Sequence, residues 1–283
     1  MTRDLVIVRG GGDLATGTVW MLHRAGFAVL ILESAYPSAI RRSVAFCEAV
    51  YEKTQTVEGV TACLAQDRAQ ALSLLADGKI PVLADPTGDC ISAFREESAD
   101  VRLVALVDAI IAKKNLGTTM DMAPFVIALG PGFTAGLDCH AVVETMRGHN
   151  LGRVYYEGSA LPNTGIPGLI AGHGADRVIH APAAGTFRAT ASIGDLVRQG
   201  DVIGHIDDTP VTAGIDGLLR GILRNGFHVN KGCKTADIDP RPEEQDNCFT
   251  ISDKARTIGG GVLCAVMHAV RGMAPRQPDL PGD

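Results

Sequence analysis

Between Gly185 and Asp239 the sequence repeats itself without a gap. Gly185, Arg188, Gly194, Val197, Gly200, Ile206 and Asp207 recur as Gly217, Arg220, Gly226, Val229, Gly232, Ile238 and Asp239, each displaced by 32 residues (217 − 185). Identities at a single offset, three of them glycine, mean two copies of one supersecondary unit, each needing the other to bury its apolar side. Each copy reads as glycine, apolar residues, Gly-x-x-Val-x-x-Gly, then apolar residues ending in Ile-Asp. Short runs of this kind between glycine turns predict short β-strands.

Two such halves have the pattern of a small all-β biotinyl/lipoyl-like (barrel-sandwich hybrid) domain, expected over residues 176–240. Carriers of that fold hold their cofactor on a lysine in the hairpin between the halves. Here the connection Asp208–Asp216 has none, and no lysine occurs between Lys114 and Lys231. Neither biotin nor lipoate is expected. The unit reads as a docking module, a lid or a structural cap.

The first half of the chain has a different rhythm. Leu5–Val8 is a β-branched apolar run followed by three glycines. A helical period then places Leu14, Val19 and Leu22 on one side, Gly26 ends it, and Ala28–Leu32 is the next strand. Strand, tight loop, helix and strand make a βαβ unit. A helix over 68–76 and strands at Ile80–Ala84, Leu103–Val107 and Phe125–Leu129 continue the alternation. The expectation is an α/β fold with a Rossmann-like doubly wound sheet. A glycine-punctuated region follows, with a hairpin from 141–145 and 153–157, and this nucleotide-binding domain spans 1–175. Residues 241–272 read as a linker and a C-terminal helix, in which Gly259, Gly260 and Gly261 allow close approach to another element. The tail, 273–283, is expected to be disordered.

Two glycine turns carry the functional expectation. Gly10-Gly-Gly-Asp-Leu-Ala15 follows a strand and opens a helix as G-x-G-x-x-A, the arrangement in which backbone N–H groups and a helix N-terminus receive a phosphate. Glu33 ends the second strand at the spacing of an acid that binds ribose hydroxyls. Asp13 departs from the pattern, since its charge inside the cradle opposes a pyrophosphate unless it caps the helix or points away. Gly130-Pro-Gly-Phe-Thr-Ala-Gly136 is a second glycine turn at a strand's carboxyl end. Arg41, Arg42 and Lys113 follow other strands closely and would neutralise phosphate, or form a solvated face. Cys139, His140 and Glu144 come next. His140 and Glu144 would be neighbours on a helix, and would share a face on a strand. They read as an acid/base pair or as an ordinary hydrogen-bonded pair. No third ligand is placed for a metal.

Composition narrows the partners. A net charge of −6 argues against a phosphate-coating surface, so nucleic acid is not expected, although a local pocket can still be positive. Seven cysteines without a C-x-x-C pair fit reduced thiols in a cytoplasmic protein. Met1–Asp4 runs straight into Leu5–Val8 and glycines, so neither a signal peptide nor a membrane span is expected.

Several segments together resemble the YqeB-type family of selenium-dependent molybdenum hydroxylase system proteins. They are Arg9–Gly17, Ala39–Arg42, Glu48–Tyr51, Ala112–Gly117, Gly130–Gly136, Glu144–His149 and Asn163–Gly168. The resemblance implies an accessory role in maturing molybdenum hydroxylases, with the hydroxylase apoenzyme or other maturation proteins as partners. The ligand would be a small anionic nucleotide, namely the molybdenum cofactor or its dinucleotide form. In that reading Gly10, Gly12, Gly130 and Gly132 shape the cradles and Asp13, Ala15 and Thr134 line them. Glu33 takes a ribose, and Arg41, Arg42 and Lys113 take phosphate. His140, Glu144 and Cys139 serve any chemistry. The alternatives are an NAD-dependent oxidoreductase using the first cradle and His140, or a non-catalytic assembly scaffold acting through the β-unit. A homo-oligomer is compatible with any of these.

Overall fold

The computed structural model describes residues 2–95 and 100–272, so the tail expected to be disordered lies outside the described residues. Nine strands form one sheet: β1 (Arg3–Arg9), β2 (Ala28–Glu33), β3 (Thr54–Val57), β4 (Val60–Ala65), β5 (Ile80–Ala84), β6 (Val101–Asp108), β7 (Val126–Leu129), β8 (Ala141–Val143) and β9 (Val154–Tyr155). Their spatial order is β3-β4-β5-β2-β1-β6-β7-β8-β9. The inner strands run parallel, whereas β3 against β4 and β8 against β9 are antiparallel.

This architecture corrects the expected Rossmann-like doubly wound sheet. The sheet is mixed, and among the described residues no α-helix connects β6 to β7 or β7 to β8. One face is covered by α1 (Asp13–Arg24) together with a helix from the far end of the chain, while α2 (Ala49–Glu52), α3 (Arg68–Ala76) and α4 (Ile91–Arg95) are short. That distant helix is α5 (Asp253–Val270), which buries Ala255, Ile258, Val262 and Val266 in the same core as Val6, Val8 and Val19. The α1–α5 crossing is set by glycine. A Cβ on Gly17 would stand 2.6 Å from Ala255 O, and one on Gly259 would stand 2.8 Å from Gly17 O. Only hydrogen in place of a side chain lets the two helix backbones touch.

The repeat builds β10 (Val178–His180), β11 (Gly185–Ala189), β12 (Leu196–Val197), β13 (Val202–Ile206), β14 (Thr209–Thr212), β15 (Gly217–Ile222), β16 (His228–Val229) and β17 (Lys234–Asp239). The two copies interlock: β12 of the first pairs with β15 of the second, and β16 of the second with β11 of the first. The result is two four-stranded antiparallel sheets, β10-β17-β15-β12 and β14-β13-β11-β16, around Phe187, Ile203, Leu219, Ile222 and Ile238. Two facing sheets, each with free edges, replace the single biotinyl/lipoyl-like barrel expected from the sequence. This β-unit is tied to the large sheet by charge. Arg42 Nε donates to Ile222 O at 2.8 Å, and Arg224 Nη1 donates to Glu48 Oε2 at 2.9 Å. Among the described residues no helix is long and apolar enough to cross a membrane.

Candidate functional site

At the first glycine bend, Gly10 turns the chain with φ +95°, and a Cβ there would lie 2.9 Å from Ala109 O. The glycine is needed so that β1 and the segment after β6 can touch. The amides of Gly10 and Gly11 are satisfied within the chain. Gly10 N donates to Leu32 O at 2.8 Å, and Gly11 N donates to Glu33 Oε2 at 2.7 Å. Ser34 N donates to Glu33 Oε1 at 2.7 Å, and Cys47 N to Gly11 O at 2.9 Å. Glu33 therefore closes the loop where the dinucleotide reading has it binding a ribose. Burial pushes its carboxyl pKa up, against the two amide bonds that pull it down. Ala15 is buried beneath the loop, and Gly12 caps α1 with open space around it.

The second bend is closed as well. Gly130 N donates to Val143 O at 2.9 Å, and Gly132, at φ +106°, lets the chain pass with a notional Cβ 2.6 Å from Lys114 Cα. Thr134 N donates to Asp138 Oδ2 at 2.8 Å, and the Thr134 hydroxyl meets Ser159 Oγ at 2.9 Å. Both turns that read as phosphate cradles are backbone crossings. Glycine serves close packing in each.

The expected chemical trio is not assembled. His140 and Glu144 flank the three residues of β8 on opposite sides, about 13 Å apart at the rise of an extended strand. His140 stacks on Phe125 with ring centroids 5.1 Å apart, and its Nδ1 accepts from Val126 N at 3.0 Å. Burial lowers its pKa. Glu144 is fully buried at the opposite edge. Its Oε1 accepts from Thr145 N and Met146 N, and its Oε2 from Leu161 N, each at 2.8 Å. It is a loop anchor. Cys139 is fully buried, and burial pushes its thiol up to about 12, so no thiolate forms near neutrality. No cluster of metal-ligating side chains occurs among the described residues.

What the fold does bring together is positive charge. The carboxyl ends of β1, β2, β6, β7 and β8 face the β-unit across a cleft of about 720 Å³. Arg41, Lys113 and Arg147 reach it from loops of the large sheet, Arg177, Arg220 and Lys234 from the β-unit, and Lys254 from the first turn of α5. Against these seven cations stand the carboxylates of Asp13 and Asp237, a local charge of +5 (7 − 2) on a chain of net charge −6. Some of the cations are internally paired. Arg41 is buried, donates to Asn247 O and Thr250 O at 3.0 and 3.1 Å, and lies 3.8 Å from Asp13. Arg177 Nη1 donates to Asp237 Oδ1 at 2.5 Å. Arg147 grips Asp253 with both terminal nitrogens, at 2.7 and 2.9 Å, which holds that carboxyl down at about 2. Arg220, Lys254 and the exposed Lys113 have no hydrogen-bond or ion-pair partner among the described residues. Arg42 faces a separate groove beside Glu48 and Arg224.

Of the residues expected at a ligand, Asp13, Arg41 and Lys113 line this cleft, while Glu33, Gly10 and Gly12 line a smaller recess beside it. Sequence reasoning missed Arg147, Arg177, Lys234 and Lys254. Arg220 stood out there as a repeat residue only, paired with Arg188, and an arginine repeated inside a glycine-patterned strand unit was the one available signal.

No family model matches the chain. It is 52% identical over 265 residues to the YqeB protein of Escherichia coli (strain K12), itself described as uncharacterized, covering 93% of this chain and 47% of that one. The chain thus spans about half the length of the curated relative it matches. Among solved structures it is similar to a succinylglutamate desuccinylase/aspartoacylase from Rhodobacter sphaeroides, at 15% identity and TM-score 0.26, covering 85% of this chain and 86% of that one. An aspartoacylase family protein from Mesorhizobium loti gives 13% identity and TM-score 0.25, covering 84% and 85%. Overlaps of that size carry no argument about this chain's chemistry. The expected role in molybdenum hydroxylase maturation is nonetheless corrected, as are the NAD-dependent and scaffold alternatives. At both bends on which a dinucleotide depended, backbone amides are taken by the chain's own acceptors, Leu32 O and Glu33 at the first, Val143 O and Asp138 at the second. Across 265 residues the chain is similar in sequence to YqeB.

Proposed function

We propose that the protein binds a small, multiply charged anion, a polycarboxylate or a phosphate compound, in the cleft between the large sheet and the β-unit. The observation that carries this reading is a set of cations with no direct hydrogen bond or ion pair among the described residues. Arg220, Lys254 and Lys113 line the cleft without a carboxylate partner among the described residues. Like charges held close together are destabilising unless a ligand repays them, and a concave site focuses their field outward to an incoming anion. The position also suits the proposal, because ligands of open α/β sheets collect outside the carboxyl ends of parallel strands. Leu14, Ile40, Ile111, Met146 and Ile166 supply an apolar lining that would seat the carbon skeleton.

The test is calorimetric titration of citrate and of inorganic pyrophosphate, at low and at high salt, into the wild type and Arg220→Met. The proposal expects saturable binding that weakens with salt. It also expects a loss of about tenfold or more in Arg220→Met, as for a charged hydrogen bond of about 1.5–3 kcal/mol. Thermal stability should not fall, because the guanidinium makes no hydrogen bond or ion pair among the described residues and its removal relieves repulsion on Arg41. Absence of binding by both probes, or equal affinity in the variant, would overturn it.

A further inference from the structure

Resting on that anion-binding reading, we infer that Lys254 Nζ is a nucleophile that condenses with a carbonyl-bearing carboxylate, such as a 2-oxo acid, held in the cleft as a Schiff base.

Seven lysines occur in the chain, at 53, 79, 113, 114, 231, 234 and 254, and Lys254 alone is not exposed. It sits in the first turn of α5, on the wall of the cleft, with no hydrogen bond or ion pair among the described residues. The carboxylates whose charge reaches it are turned elsewhere. Both oxygens of Asp253 are taken by Arg147, those of Glu144 by three backbone amides, and Asp13 lies 3.8 Å from Arg41. Arg147 and Arg220 line the same cleft as the amine. Burial first, and the Arg147 charge second, lower the Lys254 pKa from its ordinary value. A desolvated amine beside fixed cations keeps more of its neutral, nucleophilic form, which is how lysines are activated for carbonyl chemistry. Arg220, which lines the same cleft without a hydrogen bond or ion pair among the described residues, would hold the substrate's carboxylate, so charge selects a molecule carrying both groups.

The step balances without a redox partner. The amine lone pair adds to the carbonyl carbon, and the C=O π electrons pass to oxygen, which takes the proton released by nitrogen. The carbinolamine nitrogen then loses its remaining proton while the hydroxyl leaves as water, so amine and carbonyl become imine and one water. Asp13, a carboxylate that lines the same cleft, would relay those protons.

The experiment treats the full chain at neutral pH with 2-oxoglutarate and cyanoborohydride, which reduces an imine to a stable secondary amine, and then maps the adduct by peptide mass spectrometry. Citrate binding is measured in parallel by calorimetry. The inference expects an adduct at Lys254 exceeding that at any exposed lysine by about tenfold or more, because a desolvated amine keeps more of its neutral form. Excess citrate should suppress it, and Lys254→Arg should abolish it. The citrate competition uses the wild type, so it stands even where the variant folds poorly. Labelling spread over the exposed lysines, or none at Lys254 while citrate binds, overturns the Schiff base and leaves the anion cleft standing. Failure of both citrate and inorganic pyrophosphate to bind overturns the cleft reading and this inference together.

Discussion

Glu33 Oε2 accepts the Gly11 amide proton at 2.7 Å, so a carboxylate of this chain occupies the glycine bend. Its other oxygen accepts from Ser34 N, and the carboxylate thereby ties the end of β2 to the loop after β1. Glu33→Gln can satisfy only one of these amides, because the carboxamide presents a donor to the other. A buried amide left without an acceptor costs about 1–3 kcal/mol. Urea denaturation near neutral pH should show that loss, with the slope unchanged. An unaltered midpoint would mean that Glu33 does not hold the bend.

The glycines of α5 separate close packing from helix propensity. Gly260 faces open space, so Gly260→Ala should stabilise the protein by about 0.5–1 kcal/mol through helix propensity. Gly259 lies against Gly17, and its replacement by alanine would push a methyl to 2.8 Å from Gly17 O. Gly259→Ala should therefore destabilise by about 1–3 kcal/mol, the usual cost of overpacking. Thermal melts of the two variants should shift in opposite directions; shifts of the same sign would disprove the crossing.

Acid stability should carry the mark of Arg147 and Asp253. The Asp253 carboxyl is held down at about 2, against an unfolded value of 3.8, mainly by the guanidinium hydrogen bonds. A depressed acid adds stability that is present above the unfolded pKa and lost as pH falls through the folded one. Arg147→Met should flatten the loss between about pH 4 and pH 2. The pair is largely exposed, with side chains 39% and 70% accessible, so the effect at neutral pH should stay below about 1 kcal/mol. Urea midpoints measured from pH 6 down to pH 2 check this, and parallel curves for variant and wild type would refute it.

Thiol reactivity should separate the cysteines by position. Cys264 is exposed on α5, while Cys47 and Cys139 are buried with their thiol pKa values raised by burial. Iodoacetamide at neutral pH should label Cys264 first and reach Cys47 and Cys139 only after denaturation. Mass mapping of brief labelling would count against the burial of Cys139 if that residue were modified in the native protein.

The helix at 68–76 and the strands at Ala28–Leu32 and Ile80–Ala84 were legible because periodicity and local punctuation are written within each segment. The hairpin of 141–145 and 153–157 was legible for the same reason, and β8 pairs with β9 as expected. The hairpin β3–β4 escaped notice because Thr54–Val57 is mostly polar and edge-exposed, without the apolar alternation of a buried strand. The glycine turns were found but misread. The motif records that a backbone must come close to something, and here that partner is Ala109 at one bend and Lys114 at the other.

Sequence alone settled the local conformations, the glycine positions and the doubling of a 32-residue unit, because each depends on neighbours in the chain or on a fixed offset. Which groups share a site was decided by tertiary structure. His140 and Glu144 are close in sequence yet flank β8 on opposite sides, because an extended strand adds about 3.3 Å per residue. Arg41, Arg220 and Lys254 are far apart in sequence yet line one cleft. Their meeting depends on the β-unit docking across the carboxyl ends of the sheet and on α5 returning to cover α1. Charge acts through space, and only the fold decides which charges are near.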